Sequence, residues 1–135
     1  KNDYNPHYVT PFIYSNHVVA AIEAEDGQIF TGYCFEATSG EFHLCAERAA
    51  SFNMFQQSSQ TTINRIIDFR DKAPNGGGSG MPCGACREFL MQLSPKNKDL
   101  EFMIDYDKRE TITLGELMPN WWGEERMAAG IEDLD

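Results

Sequence analysis

An α/β domain built on a mixed sheet of about five strands is what this sequence predicts. Strand-like and helix-like segments alternate from residue 17 onward, and Asp26-Gly27 joins the first two strand-like runs. Two groups of cysteines, around Cys45 and around Cys83, each stand at the start of a helical stretch.

Residues 1–16 hold Pro6 and Pro11 among Tyr, Asn and Thr, which disfavours a long helix and reads as an irregular arm. His17 to Glu25 is apolar with β-branched valines, and Gln28 to Phe35 is a second such run. With Asp-Gly between them they predict an antiparallel hairpin. Ala37 to Glu41 is small and polar and reads as a loop. Helical spacing then extends from His43 or Leu44 to about Gln57, with Leu44, Ala49, Phe52 and Phe55 as its apolar stripe. Ile63 to Phe69 predicts a third strand, nearly continuous in its apolar character. Lys72 to Gly80, with Gly76-Gly77-Gly78, lacks the Lys-Ser/Thr of a phosphate loop and reads as a flexible connector. A helix over 84–93 stops before Ser94-Pro95, because the residue ahead of a proline is pushed out of helical geometry. Leu100 to Tyr106 is a fourth strand and Glu110 to Thr113 a short fifth. A short helix from Thr113 to Leu117 closes at Pro119, and 124–135 form an acidic, partly frayed tail.

The 135 residues suit one domain with a continuous core, and neither a repeat nor a linker divides them. Twenty-one acidic residues against 11 basic ones give a formal charge of -10, which excludes a nucleic-acid backbone as the natural partner. No apolar run approaches the roughly 18 residues of a membrane span, so the chain is expected to be cytoplasmic and free of membrane. A small neutral or weakly cationic ligand fits the charge better.

Chemistry concentrates in Cys45-Ala46-Glu47-Arg48 and Pro82-Cys83-Gly84-Ala85-Cys86-Arg87. Three thiolates are preferred zinc ligands, and a catalytic zinc keeps three protein ligands with its fourth position open to water. Helix N-termini lower a thiol pKa and favour the thiolate. Cys83 and Cys86 lie one helical turn apart, so both face one side while Cys45 approaches from the other helix. Glu47 then stands beside the metal without binding it, placed to move a proton between water and substrate. Three thiolates on a divalent ion leave a net negative site, and Arg48 and Arg87 are the candidates to offset it.

These motifs resemble the cytidine deaminase family, in its small-subunit, three-cysteine form, over residues 12–123. The resemblance implies a three-layer α/β/α sandwich and hydrolytic removal of an exocyclic amine as ammonia. It also implies a homo-oligomer, with a tetramer favoured and sites at subunit interfaces, working in pyrimidine salvage on a small nucleoside. Cys45, Cys83 and Cys86 would hold Zn2+, and Glu47 would shuttle protons. Glu36 matches the ribose-binding carboxylate, Cys34 stands where the family has an asparagine, and Ala46 joins the substrate wall. Trp122 falls at the position of an aromatic that covers the base, often from a neighbouring subunit. The family's long N-terminal helix is missing or greatly shortened in this sequence. Sibling enzymes that deaminate the antibiotic blasticidin S share the frame and vary the ribose contacts.

Blander readings remain beside these. The cysteines serve a structural zinc with His43 as fourth ligand, or Cys83 and Cys86 form a redox dithiol. His43 is otherwise a loop or cap residue. Cys34 is a pocket wall or a small buried hydrophobe, Glu36 a ribose contact or a solvated strand end, and Trp121 and Trp122 packing residues without a ligand.

Overall fold

A computed structural model describes residues 3–71, 74 and 81–133. The glycine-rich connector read from 72–80 therefore lies almost wholly outside the described residues, as does the very end of the acidic tail.

The α/β class is the one observed, with a six-stranded mixed sheet. Its strands are β1 (His7–Thr10), β2 (Ile13–Ala24), β3 (Ile29–Ala37), β4 (Ile63–Phe69), β5 (Glu101–Asp105) and β6 (Glu110–Thr113). The helices are α1 (Ala46–Ser58), α2 (Gly84–Leu93), α3 (Leu114–Leu117) and α4 (Glu124–Ala129). β1 is a correction to the irregular arm: Pro11 sits in a tight turn rather than ending all structure, and His7-Tyr8 pair back onto Tyr14-Ser15. Every residue of β1 is exposed, so ladder bonds rather than burial hold it, which is why no hydrophobic alternation announces it.

β2 and β3 form the antiparallel hairpin expected from Asp26-Gly27, with Gly27 at φ +91 where a side chain would be strained. β2 also pairs antiparallel with β4, and β4 runs parallel to β5, which makes the sheet mixed. Register lines up Phe30, Ile22, Ile66, Phe102 and Ile112 across five strands in one row. That row joins Ala46, Ala50 and Met54 of α1, Leu90 and Met91 of α2, and Leu114 of α3 in a single core.

The stripe read on α1 is corrected. The helix buries Ala46, Glu47, Ala50, Ser51 and Met54, while Phe52 and Phe55 are 40% and 49% exposed. Small residues win the inner face because α1 lies so close to β3 that a Cβ on Gly32 would come within 2.7 Å of the Ala49 carbonyl carbon. α1 also starts at Ala46 rather than His43 or Leu44, since Leu44 is committed to a β-bridge with Phe35.

α2 runs over the span expected and ends at Ser94. Beyond it, fully buried Asn97 accepts from the Ile63 N–H at 2.9 Å and donates to the carbonyls of Thr61 and Leu90 at 3.1 and 2.9 Å. All three partners are main-chain groups, so one amide ties the end of α2 to the start of β4. Thr113 and Glu116 form a capping box at α3, and the tail read as frayed holds α4.

Candidate active site

Cys45 is the N-cap of α1 and Cys83 the N-cap of α2, with Cys86 in the first turn of the same helix. Neither cap makes a side-chain capping bond to its own helix. The three sulfurs lie within 4.8 Å of one another, and Cys45 and Cys83 are 3.6 Å apart. A donor set of three thiols at that spacing fits one zinc ion and leaves a coordination position open. All four cysteines of the chain are unpaired.

The electrostatics follow from this crowding. Hydrogen bonding from Cys86 holds the Cys45 thiol down at about 4; burial opposes this, and Arg48, Cys83 and His43 add to it. Cys86 moves the other way, pushed up first by its bond with Cys45, then by burial and by the charge of Glu47. The first negative charge of the cluster therefore settles on Cys45. Arg48 Nη2 donates to that sulfur at 3.4 Å. Arg87 has a different part, since its Nε donates to the Pro82 carbonyl oxygen at 3.0 Å and so braces the turn ahead of α2.

Glu47 is buried, and its Oε2 accepts from Cys86 Sγ at 3.5 Å. A cavity of about 320 Å³ opens over it, walled by Ala46, Cys34, Glu36, His43, Cys45 and Cys83. The structure thus brings together Cys45, Cys83, Cys86, Glu47, Ala46, Cys34 and Glu36. Cys34 is buried among the residues that line the cavity, and its sulfur accepts from the Val18 N–H at 3.2 Å. Burial pushes its thiol up. Glu36 meets His17 Nε2 at 3.2 Å.

Trp122 is placed elsewhere within the chain. It is 72% exposed and, with Trp121, lines a separate hollow beside α4. Both indole N–H groups donate to Glu88, Trp121 at 3.0–3.1 Å and Trp122 at 3.0 Å.

Five more residues reach the cavity without having drawn notice in the sequence, the apolar Val18 and Met81 and the polar His17, Asp68 and Arg70. A bulge in β2 between Ser15 and Val19, with Asn16 at φ +64, turns His17 and Val18 toward the site. Asp68 is held neutral-leaning by burial above all, then by hydrogen bonding and repulsion with Glu47, which together raise its carboxyl well above the usual range. No local motif marks these positions. Only the pairing of β2 with β4, which sets Ala20 opposite Asp68, brings them to the metal cluster.

No family model matches the chain. Among curated proteins, a cytidine deaminase of Mycoplasma genitalium is 33% identical over 112 residues, covering 82% of this chain and 81% of that protein. A blasticidin-S deaminase of Bacillus cereus is 29% identical over 109 residues, covering 77% and 75%. The crystal structure of cytidine deaminase from Mycobacterium tuberculosis matches with a TM-score of 0.66 at 25% identity, covering 90% of this chain and 89% of that one. Agreement in sequence and in backbone over most of each molecule shows that the chain belongs to the cytidine deaminase family.

Proposed function

We propose that the protein is a zinc-dependent hydrolase that removes the exocyclic amine of a cytosine-containing nucleoside, releasing ammonia and leaving the uracil form. The observation that carries this is a buried carboxyl, Glu47, set against three clustered sulfurs at the floor of a cavity. The names of the relatives in Mycoplasma and Mycobacterium supply the substrate class.

Cys45, Cys83 and Cys86 would hold the zinc ion, which when bound would supply the Lewis acidity that makes water a nucleophile near neutral pH. Glu47 takes the proton that the attacking water loses and delivers protons to the ring nitrogen and to the departing amine. Arg48 offsets the negative charge of three thiolates. Glu36, oriented by His17, is the group for sugar hydroxyls.

Substitution of the proton carrier tests these roles. Glu47→Gln keeps shape and zinc but carries no proton, so ammonia release should fall on the order of a hundredfold or more. Undiminished release by that variant would sink the mechanism. One zinc per chain separates this reading from a Cys83–Cys86 redox dithiol, which would instead show no metal and a reversible disulfide.

A second substrate reading rests on Cys34, a thiol in the cavity wall where an amide is expected for a ribose hydroxyl. It favours a modified nucleoside of the blasticidin S kind, which the Bacillus cereus relative also suggests. A panel of cytidine, deoxycytidine, blasticidin S and guanine-type substrates, read by ammonia release, chooses between them.

The assembly is proposed as a homo-oligomer, with a tetramer favoured. Phe35, Phe52 and Phe55 are exposed, and the first two, with Tyr33, line an open hollow between α1 and β3. An aromatic patch of this sort is an interface in waiting. Four free thiols suit a reducing compartment, which supports the cytoplasm as the location.

A further inference from the structure

Asp68 lies on β4, directly across from Ala20 on β2, on the same face of the sheet as Ile66 and Ile22. Those neighbours are the apolar core. Asp68 is only 5% exposed, and its Oδ1 is shut away from solvent with no hydrogen-bond partner. Buried polar atoms are nearly always paired, so an orphaned oxygen needs an account. Packing does not supply one, because an apolar side chain would fill the same place.

The location supplies it. Asp68 is part of the wall of the cavity above the three sulfurs, with Glu47 immediately beside it. Glu47 is the group that must reach the amine being expelled, so a carboxyl touching Glu47 is at the same end of the substrate ring. A carboxyl oxygen with free lone pairs accepts hydrogen bonds from N–H groups. The amino group on the ring is an N–H donor at that end, and after hydrolysis the same ring position bears a carbonyl oxygen, which only accepts.

We propose that Asp68 is a specificity residue of this site, whose Oδ1 accepts a hydrogen bond from the exocyclic amine of the bound substrate. This rests on the deaminase reading above. The product then faces Asp68 acceptor to acceptor, so the same atom that recognises the amine disfavours the carbonyl that replaces it. Recognition and product release share one oxygen. Other amino-substituted heterocycles are admitted by the same rule, and rings that already carry a carbonyl at this position are turned away.

The test compares Asp68→Leu, close in size, and Asp68→Val, suited to a strand, with Asp68→Asn, whose amide oxygen still accepts. Each is measured as zinc-loaded protein, with melting temperature and zinc content as controls on folding. Two quantities are read on the best substrate of the wild type: kcat/KM for ammonia release, and the inhibition constant of the uracil-form product. We expect the apolar variants to lose about ten- to a hundredfold in kcat/KM, the scale of leaving one buried hydrogen-bonding group without its partner. Product inhibition should stay the same or tighten, and Asp68→Asn should remain within about threefold of wild type. An apolar variant that folds and keeps wild-type kcat/KM overturns the proposal, as does equal weakening of substrate and product. If neither apolar variant folds, Asp68→Asn decides: a loss in kcat/KM beyond tenfold at unchanged product inhibition counts against an acceptor role, and near-wild-type values with the product still bound poorly count for it. A wild-type protein that deaminates nothing in the panel would instead remove the functional reading itself.

Discussion

Arg48 Nη2 donates a hydrogen bond to Cys45 Sγ at 3.4 Å, across one turn of α1. Burial works against the charge of this guanidinium, and its bonds to Cys45 and Cys86 more than offset that, so that its pKa is raised. The pair is mutual: the thiolate keeps the arginine charged and the arginine keeps the thiolate.

Arg48→Ala should therefore weaken zinc binding about ten- to a hundredfold, the usual effect of removing a group that supports a metal ligand. Competition with a chromophoric chelator reads this directly. An unchanged affinity would show that the N-terminus of α1 suffices to hold the Cys45 charge.

Gly32 marks where α1 presses on β3, and a methyl group there meets the helix backbone rather than a movable side chain. Gly32→Ala should cost on the order of 3 kcal/mol of stability, at the upper end of overpacking penalties. Denaturant unfolding of the two proteins at fixed zinc checks it; a loss below about 0.5 kcal/mol would mean that α1 can shift away freely.

Phe52 and Phe55 are exposed aromatic rings on α1. Phe52→Glu together with Phe55→Glu should convert an oligomer into a species near the 15.3 kDa of one chain, as judged by sedimentation. If the wild type already sediments as a monomer, the aromatic patch has another purpose.

Asp68 gives a pH dependence of defined sign. Its folded pKa lies above the unfolded value of 3.8, so the folded chain holds this proton more tightly. The stability it contributes is complete below pH 3.8 and is lost as pH rises toward the raised folded value, at up to about 1.4 kcal/mol per unit. Asp68→Asn has no such proton. Its stability relative to wild type should climb steadily from about pH 4 upward, as measured by unfolding at several pH values, and a flat difference would contradict the raised pKa.

Much of this architecture is legible in the chain because it is written locally. Asp26-Gly27 gives a hairpin, Ser94-Pro95 ends α2, and Cys83-x-x-Cys86 sets two sulfurs one turn apart. The parts that escape are those decided by partners distant in sequence. β1 is stabilised by ladder bonds to Tyr14 and Ser15 and buries nothing, so it leaves no apolar rhythm. The inner face of α1 is chosen by the closeness of Gly32, which overrides the larger stripe through Phe52 and Phe55. His17 and Asp68 look like ordinary strand residues until a bulge in β2 and the β2–β4 register bring them to the cavity.

The capping cysteines have a mechanical side as well. α1 and α2 touch through the edge-to-face rings of Phe52 and Phe89, 5.2 Å apart, and through the sulfurs at their N-terminal ends. The chain between Cys45 and Cys83 includes all of β4, a strand bonded on both edges. An ion gripping both helix starts would therefore close a loop of polypeptide that contains β4, and its binding energy would count toward folding as well as toward chemistry. Chelation should then loosen the fold while it stops the reaction: the atom that activates water would also be the rivet that holds the two helices in place.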